Sequence, residues 1–370
     1  MTTIVGQDAD APRLQGAILT PAGAFDGGRE AGEFEGFTSS AGLRVSVIIP
    51  ALNEEEMIGK CLDCLEQSEF PRSSFEVIVV DNGSTDRTME IGSSYSPRLN
   101  IMVVQKVGVN ISALRNLGAA EAKGEILAFL DADCMVPRNW LRNAAQQLRS
   151  KDAGIVGGSI SIPQDSRWVA RAWYGVGYAP KSGEVSYVPS GNLLVRRSRF
   201  FRVGGFNENL KTSEDFDLCV RARVAGLHIR AAAEMAVVHM RTPQTLSAFY
   251  RRERWHGTDV VKALCGNLHE MVNYRAVAFA VYILVCCLGL VAGLGLALIF
   301  RRYTLFTAAS AGMIVAPLAC SIRKLRTVRG RAFWLTLLPL TLLHLVYGLA
   351  RARVLLNVRW VGRLTFRTPA

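Results

Sequence analysis

From Ala276 onward the chain carries twelve Lys/Arg and not one Asp or Glu, and three stretches there, 276–300, 303–322 and 332–350, hold no charged side chain at all. Each approaches the ~20 apolar residues that a helix needs to cross a bilayer. In lipid only helices and closed barrels satisfy their own backbone groups, so residues 276–350 are expected to form two or three membrane helices. The two arginines at 301 and 302 leave room for only a tight hairpin between the first two. Three full crossings would place the arginines of the basic tail, 351–370, on the side opposite the residues that precede the first stretch, against the positive-inside tendency if those residues are cytosolic. One of the three segments can therefore be re-entrant or interfacial.

The same count disposes of a nucleic-acid reading. The net charge of +12 is formally that of a basic protein, but the Lys/Arg before Ala276 are matched by the 31 Asp/Glu. The excess sits beside the apolar stretches, where it orients them and meets anionic headgroups. No signal peptide is recognisable, because Asp8, Asp10 and Arg13 interrupt the first residues and no apolar core follows. The eight cysteines show no disulfide or zinc framework. Cys61 and Cys64 are spaced as on one helix face, which fits packing better than metal or redox work.

Residues 1–43 are rich in Gly, Ala, Thr and acidic groups without apolar period and read as a disordered leader. Beyond them, apolar strand-like runs alternate with helical patterns. Strands are expected at 45–49, 76–80, 101–105 and 125–130, and helices at about 55–67, after Ser84, at 112–122 and at 139–149. Such alternation implies parallel βαβ units, which bind ligands at the carboxyl ends of their strands. Residues 153–197 are less regular, with Gly and Pro punctuation and further strands. A helix is expected at 214–225, then strands near 228–231 and 236–240, and a helix from about 243 to 264 mixes aromatic residues with Arg251, Arg252 and Arg254, which suits a membrane interface or an ordinary amphipathic surface helix.

The strand ends hold the polar residues. The first runs into Pro50-Ala51-Leu52-Asn53-Glu54, the second into Asp81-Asn82-Gly83-Ser84-Thr85-Asp86, and the run 126–130 stops at Asp131-Ala132-Asp133. Paired carboxylates at the open edge of a sheet can hold a divalent cation against a diphosphate. Each segment alone is ordinary loop composition, and Asp86 is equally suited to capping a helix. Glu214-Asp215 opens a helix, where acids are favoured by the dipole alone. His239 ends an apolar strand and is open to a structural or a ligand role.

The series VSVIIPALNEE, VIVVDNGSTDRT, ALRNLGAAEAKGEILAFLDADC, SGNLLVRR, VGGFNENL and SEDFDLCVRARVAG, over roughly residues 44–240, resembles the family 2 glycosyltransferases. The resemblance implies an α/β GT-A fold, a Rossmann-like nucleotide-diphospho-sugar transferase domain at 44–242, followed by an amphipathic interface region at 243–275 and C-terminal transmembrane helices. It implies an inverting, metal-dependent transfer from a nucleotide sugar, a UDP-sugar by preference, to a membrane or lipid-linked acceptor or a glycan in cell-envelope or exopolysaccharide synthesis. The enzyme is then expected in the cell inner membrane, multi-pass, with a cytoplasmic catalytic domain. A polyprenyl-phosphate sugar synthase and a catalytically silent binding scaffold are the alternatives.

By the same resemblance Asp81 takes the nucleotide base, and Pro50, Ala51, Asn53 and Glu54 surround the nucleotide. Arg115 reaches phosphate or nucleotide, or else forms a surface ion pair. Asp131 contacts the donor, Asp133 binds Mn²⁺ or Mg²⁺ with His239 completing the shell, Asp215 is the general base, and Glu214 lines the substrate. Gly191-Asn192 and Gly204-Gly205-Phe206 match the acceptor-side segment. Arg254-Trp255 resembles the end of a Q-x-x-R-W motif, but Arg251 stands where glutamine is expected, so processive synthesis is in doubt.

Overall fold

A computed structural model describes residues 45–149, 153–175, 182–258 and 274–356. The leader at 1–43, the end of the interface region and most of the basic tail lie outside the described residues.

Eleven strands form two sheets: β1 (Val45–Ala51), β2 (Phe75–Asp81), β3 (Ile101–Gln105), β4 (Ile126–Leu130), β5 (Cys134–Met135), β6 (Ala153–Gly157), β7 (Ile160–Ser161), β8 (Gly183–Glu184), β9 (Asn192–Arg196), β10 (His228–Ala231) and β11 (Val237–His239). The larger sheet runs β3-β2-β1-β4-β9-β6-β10-β8, and the smaller β5-β11-β7. β3, β2, β1 and β4 are parallel neighbours, the arrangement expected of βαβ units. β9 then enters antiparallel between β4 and β6.

Helices cover both faces of the larger sheet, which is why its central strands read as unbroken apolar runs rather than alternating ones. Along β1, Val45, Val47 and Ile49 point into one core and Ile48 into the other; on β4, Ile126, Ala128 and Leu130 share the first while Leu127 and Phe129 share the second. The first core is closed by α1 (Ile58–Glu66) and α4 (Trp140–Gln147). Cys61 and Cys64 lie there on α1, Cys61 fully buried and both as free thiols, as their spacing suggests. The second core is closed by α3 (Ile111–Glu121), α6 (Arg197–Arg202) and α7 (Glu214–Val224). α2 (Thr88–Ser94) flanks β2 and β3.

Two short helices depart from the sequence expectation. Residues 153–197, read as irregular strands, contain α5 (Trp168–Tyr174), and α6 follows β9 directly. Both are short enough for tertiary packing to decide them: Val169 and Ala172 of α5 meet Phe249 and Leu343, and Phe200 of α6 packs on Phe129 and Phe206. The helix after 243 is α8 (Leu246–His256), capped by the Thr245 hydroxyl, which accepts from the Ala248 N–H at 3.2 Å.

Three further helices, α9 (Tyr274–Phe300), α10 (Thr304–Lys324) and α11 (Arg331–Leu355), are long and apolar enough to cross a membrane. α9 and α10 form the expected hairpin, with Gly289 facing Ala309 and the Tyr282 hydroxyl donating to Gly312 O at 3.0 Å.

Gly118 on α3 marks the closest approach of a helix to the sheet, since a methyl there would overlap Ile48 and stand 3.2 Å from a Val80 methyl. Gly118→Val is expected to cost about 1–3 kcal/mol through overpacking, visible as a lower melting temperature of the detergent-solubilised protein.

Candidate active site

Because β1, β2 and β4 are parallel and adjacent, their polar extensions emerge at one edge. The first two are stitched together. The Asn53 N–H donates to Ser84 Oγ at 2.9 Å, the Thr85 N–H donates to Asn53 Oδ1 at 2.9 Å, and the Glu55 N–H donates to Asp86 Oδ2 at 3.1 Å. Asn53 pays for this with a left-handed backbone, φ 55°, a region that asparagine tolerates better than most residues. Asp86 also accepts from the Thr88 N–H at the start of α2, so it serves as a cap and a stitch at once.

Asp81 is fully buried. Its carboxylate accepts from the N–H groups of Gly83 and Ser84, from the Ser84 hydroxyl, and from Gln105 Nε2 at 3.1 Å. Burial alone would push its pKa up, but these hydrogen bonds outweigh it and hold the carboxyl below the usual range. The sequence assigned helix capping here to Ser84 or Asp86 and left Asp81 for the nucleotide base. In the structure the Asp81 oxygens also hold the turn that shapes the loop. Pro50 and Ala51 are likewise buried inside β1, where Ala51 O accepts from the Asn82 N–H. Leu52, Asn53 and Glu54 of that segment lie beyond the end of the strand, Leu52 exposed to 48%.

One correction concerns Arg115. It is 2% exposed, so it makes no surface ion pair. Its Nη2 donates to Asp131 Oδ1 at 2.8 Å and its Nη1 to Glu214 Oε1 at 2.7 Å. The guanidinium is thus engaged by two carboxylates. Glu214, 7% exposed, also accepts from the Ser190 hydroxyl at 3.2 Å.

Asp215 follows on the first turn of α7 and keeps contact with solvent. Its Oδ1 accepts from the Phe216 N–H at 2.8 Å and its Oδ2 from the Ser190 N–H at 3.3 Å. Dense surroundings raise its carboxyl to about 7, with the adjacent Glu214 adding to the rise. Ser190 therefore touches both acids of the pair, and Gly191 stands against Asp131 so closely that any side chain would overlap that carboxylate. The cause is strand register: Asn192 of β9 pairs with Leu130 of β4, bringing residues 190 and 191 alongside Asp131. Asn192 itself is structural, accepting from Trp140 Nε1 at 3.0 Å and donating to Met235 O at 2.6 Å.

The small sheet sets the second half of the site. His239 of β11 pairs across the ladder with Cys134 of β5, which puts the imidazole beside Asp133, Nδ1 lying 3.2 Å from Oδ2. That nitrogen is buried and has no hydrogen-bond partner. Asp133, His239 and Cys134 each offer one ligand atom within 4.8 Å of the others. Burial raises the Asp133 carboxyl, helped by Asp131 and opposed by His239. Glu54 is pushed to about 7 by burial, with Asp133 and Asp131 adding and Arg241 opposing. A buried carboxylate facing an orphaned imidazole nitrogen, amid further acids, fits a divalent cation.

Ser190 and Cys134 gave no individual signal in the sequence, because register places them and one chain does not display register. Gly191, singled out by the resemblance, is brought beside Asp131 in the same way. Arg241 pairs with Glu54 at 3.3 Å and with Glu56 at 3.2 Å, and only its place two residues after His239 hinted at it.

Arg115→Met would leave two carboxylates facing each other without their shared cation. The expected cost is roughly 3–5 kcal/mol, read as a lower denaturation midpoint, with Lys at the same position recovering only part because it cannot fork to both acids.

Residues 46–204 match the family described as glycosyl transferase family 2, and residues 126–348 match glycosyl transferase family group 2. Glycosyltransferase AglE of Haloferax volcanii is 32% identical over 206 residues, covering 54% of this chain and 67% of that protein. The probable glycosyltransferase YdaM of Bacillus subtilis is 28% identical over 229 residues, covering 57% of this chain and 54% of its own length. Among solved structures, a mannosyltransferase from Pyrobaculum calidifontis superposes with a TM-score of 0.56 over 85% of this chain and 88% of its own, at 18% identity, a likeness of fold. With more than half its length matched and its carboxylates gathered at one sheet edge, the chain belongs to the family 2 glycosyltransferases and has their GT-A fold.

Proposed function

We propose that this enzyme transfers a sugar from a nucleotide diphosphate sugar, with inversion and with a divalent cation, to an acceptor at the membrane. The observation that carries the reading is the pairing of Asp133 with the unpartnered Nδ1 of His239, at the strand end where Asp131 also emerges. The Pyrobaculum structure contains GDP-mannose and Mn²⁺, which agrees with such a site. Asp133 and His239 would hold Mn²⁺ or Mg²⁺, and the bound ion would neutralise charge developing on the departing diphosphate.

The remaining residues divide the work. Arg115 fixes Asp131 from behind, so that carboxylate faces the donor in one orientation. Glu214 and Ser190 hold the start of α7, which sets the direction of Asp215. Asp215 accepts the proton of the acceptor hydroxyl as that oxygen attacks the anomeric carbon from the face opposite the nucleotide. One carboxylate suffices for inversion, and a base with a pKa of about 7 is matched to neutral pH. Three apolar helices beside the catalytic domain favour a lipid-linked or membrane-held glycan acceptor in envelope or exopolysaccharide assembly. Because nucleotide sugars are cytosolic, the catalytic domain belongs on the cytoplasmic face of the inner membrane.

Membranes containing the protein, incubated with labelled UDP- and GDP-sugars, are expected to form product that EDTA abolishes and Mn²⁺ or Mg²⁺ restores. Asp133→Ala is expected to lose that restoration, and metal-independent turnover would remove the assignment. Protonated Asp215 cannot accept a proton, so kcat/KM is expected to rise with pH through about 7. Asp215→Asn should lower it about 10²–10⁴-fold and flatten the rise. An unimpaired Asp215→Asn enzyme would instead indicate transfer to a phosphate, which needs little help from a base.

A further inference from the structure

The three apolar helices are not equivalent. α9 and α10 pack on each other along their lengths, from Tyr282 against Gly312, through Gly289 against Ala309, to Gly293 against Phe306 near the turn. α10 returns to the catalytic body at its end, where Lys324 Nζ donates to the backbone carbonyl of Trp173 on α5.

α11 behaves differently. Leu337 and Leu340 pack with Leu318 and Leu325 at the returning end of the hairpin and with Trp173. One turn on, Leu343 and Tyr347 meet Val169, Trp173 and Phe249 of the catalytic body, with the Trp173 and Tyr347 rings stacked at 5.5 Å. Gly348 sits against Phe279 and Ile283, near the start of α9. Arg351 then pairs with Glu253 of α8 at 2.8 Å, the two side chains only 13% and 7% exposed, and Val354 reaches Gly257. At 1.5 Å per residue the stretch from Leu337 to Val354 is ~25 Å long, close to the thickness of a bilayer core, and it stays in contact with α5, α8 and the catalytic-side ends of the hairpin throughout. A helix running outward along the bilayer normal would leave the catalytic body after a turn or two.

The surface of α11 agrees. In its first half Trp334, Leu335, Leu338 and Leu342 are exposed on one side, Leu338 to 74%. In its second half Gly348, Ala350, Ala352 and Val354 are buried in protein, leaving no broad face for lipid.

We propose that α11 does not cross the membrane. It lies along the underside of the catalytic body, with Trp334, Leu335, Leu338 and Leu342 turned into the lipid of the adjacent leaflet, and the bilayer is crossed twice, by α9 and α10. Both ends of α11 and the residues after Leu355 are then on the catalytic side. Arg323, Lys324, Arg326, Arg329 and Arg331, together with Arg351, Arg353, Arg359, Arg363 and Arg367, all fall on that side, with Arg301 and Arg302 alone at the far turn. This is the distribution the positive-inside tendency favours, and it removes the conflict that three crossings create.

The test uses the full chain carrying a reporter at its N-terminus, between Arg301 and Arg302, or after Ala370. A fluorescent protein after Ala370 is expected to fluoresce and alkaline phosphatase there to be inactive, matching the N-terminal reporter, while phosphatase at the Arg301–Arg302 turn is active. A protease-cleavable epitope after Ala370 should be cut in inverted membrane vesicles and protected in right-side-out ones. Active phosphatase after Ala370, or cleavage of the epitope only in right-side-out vesicles, would establish a third crossing and overturn the proposal. Inactive phosphatase at the turn would also overturn it. None of these readouts depends on sugar transfer, so failure here is distinct from failure of the proposed activity.

Discussion

One guanidinium organises the catalytic centre. Arg115 is buried on α3 with a carboxylate on each side, Asp131 from the end of β4 and Glu214 from the start of α7. Burying any of the three alone would cost several kcal/mol, and only their mutual arrangement makes the set tolerable. The tie connects segments a hundred residues apart in sequence, and it fixes the side chains next to each: Asp133 two residues beyond one anchor, Asp215 one beyond the other. A flexible site would have to order these carboxylates during each turnover. Here the order is built in when the chain folds, which is the preorganisation that electrostatic catalysis requires.

Strand pairing supplies the rest of the geometry. The antiparallel entry of β9 next to β4 delivers Ser190 and Gly191 to the acids, and the small sheet delivers His239 to Asp133. Both are consequences of main-chain register, so substitutions along these strands that shift pairing would displace side chains of the candidate site that they never touch. Gly191 is the sharpest case, since the carboxylate of Asp131 occupies the space where its side chain would be.

The alternation of apolar runs with helical patterns was legible: β3 occupies the very span expected of it, α3 is the helix expected at 112–122 shifted by one residue, and β4 starts one residue later than the strand expected at 125–130. Continuous burial makes such strands stand out. Asp81, Asp131, Asp133 and His239 were legible because they stand at the ends of apolar strands, and Glu214 and Asp215 because they open a helix. Individual assignments were harder. Arg115 looks like a ligand-binding arginine in a linear motif, and nothing local reveals that Glu214 will meet it across the fold. That Asp81 also holds the turn was not legible, because the N–H groups of Gly83 and Ser84 reach it only through the left-handed backbone at Gly83, φ 89°. α5 was missed because its seven residues are helical only in the company of α8 and α11.

α8 is shared by the catalytic domain and the apolar helices. Its Glu253 is bound to Arg351 of α11, its Phe249 packs with Leu343 of the same helix, and Val354 reaches Gly257 just past its end. The domain that carries the acids and the apolar helix are therefore joined along a face rather than at a point, so a substitution on either side of that seam is a substitution in both.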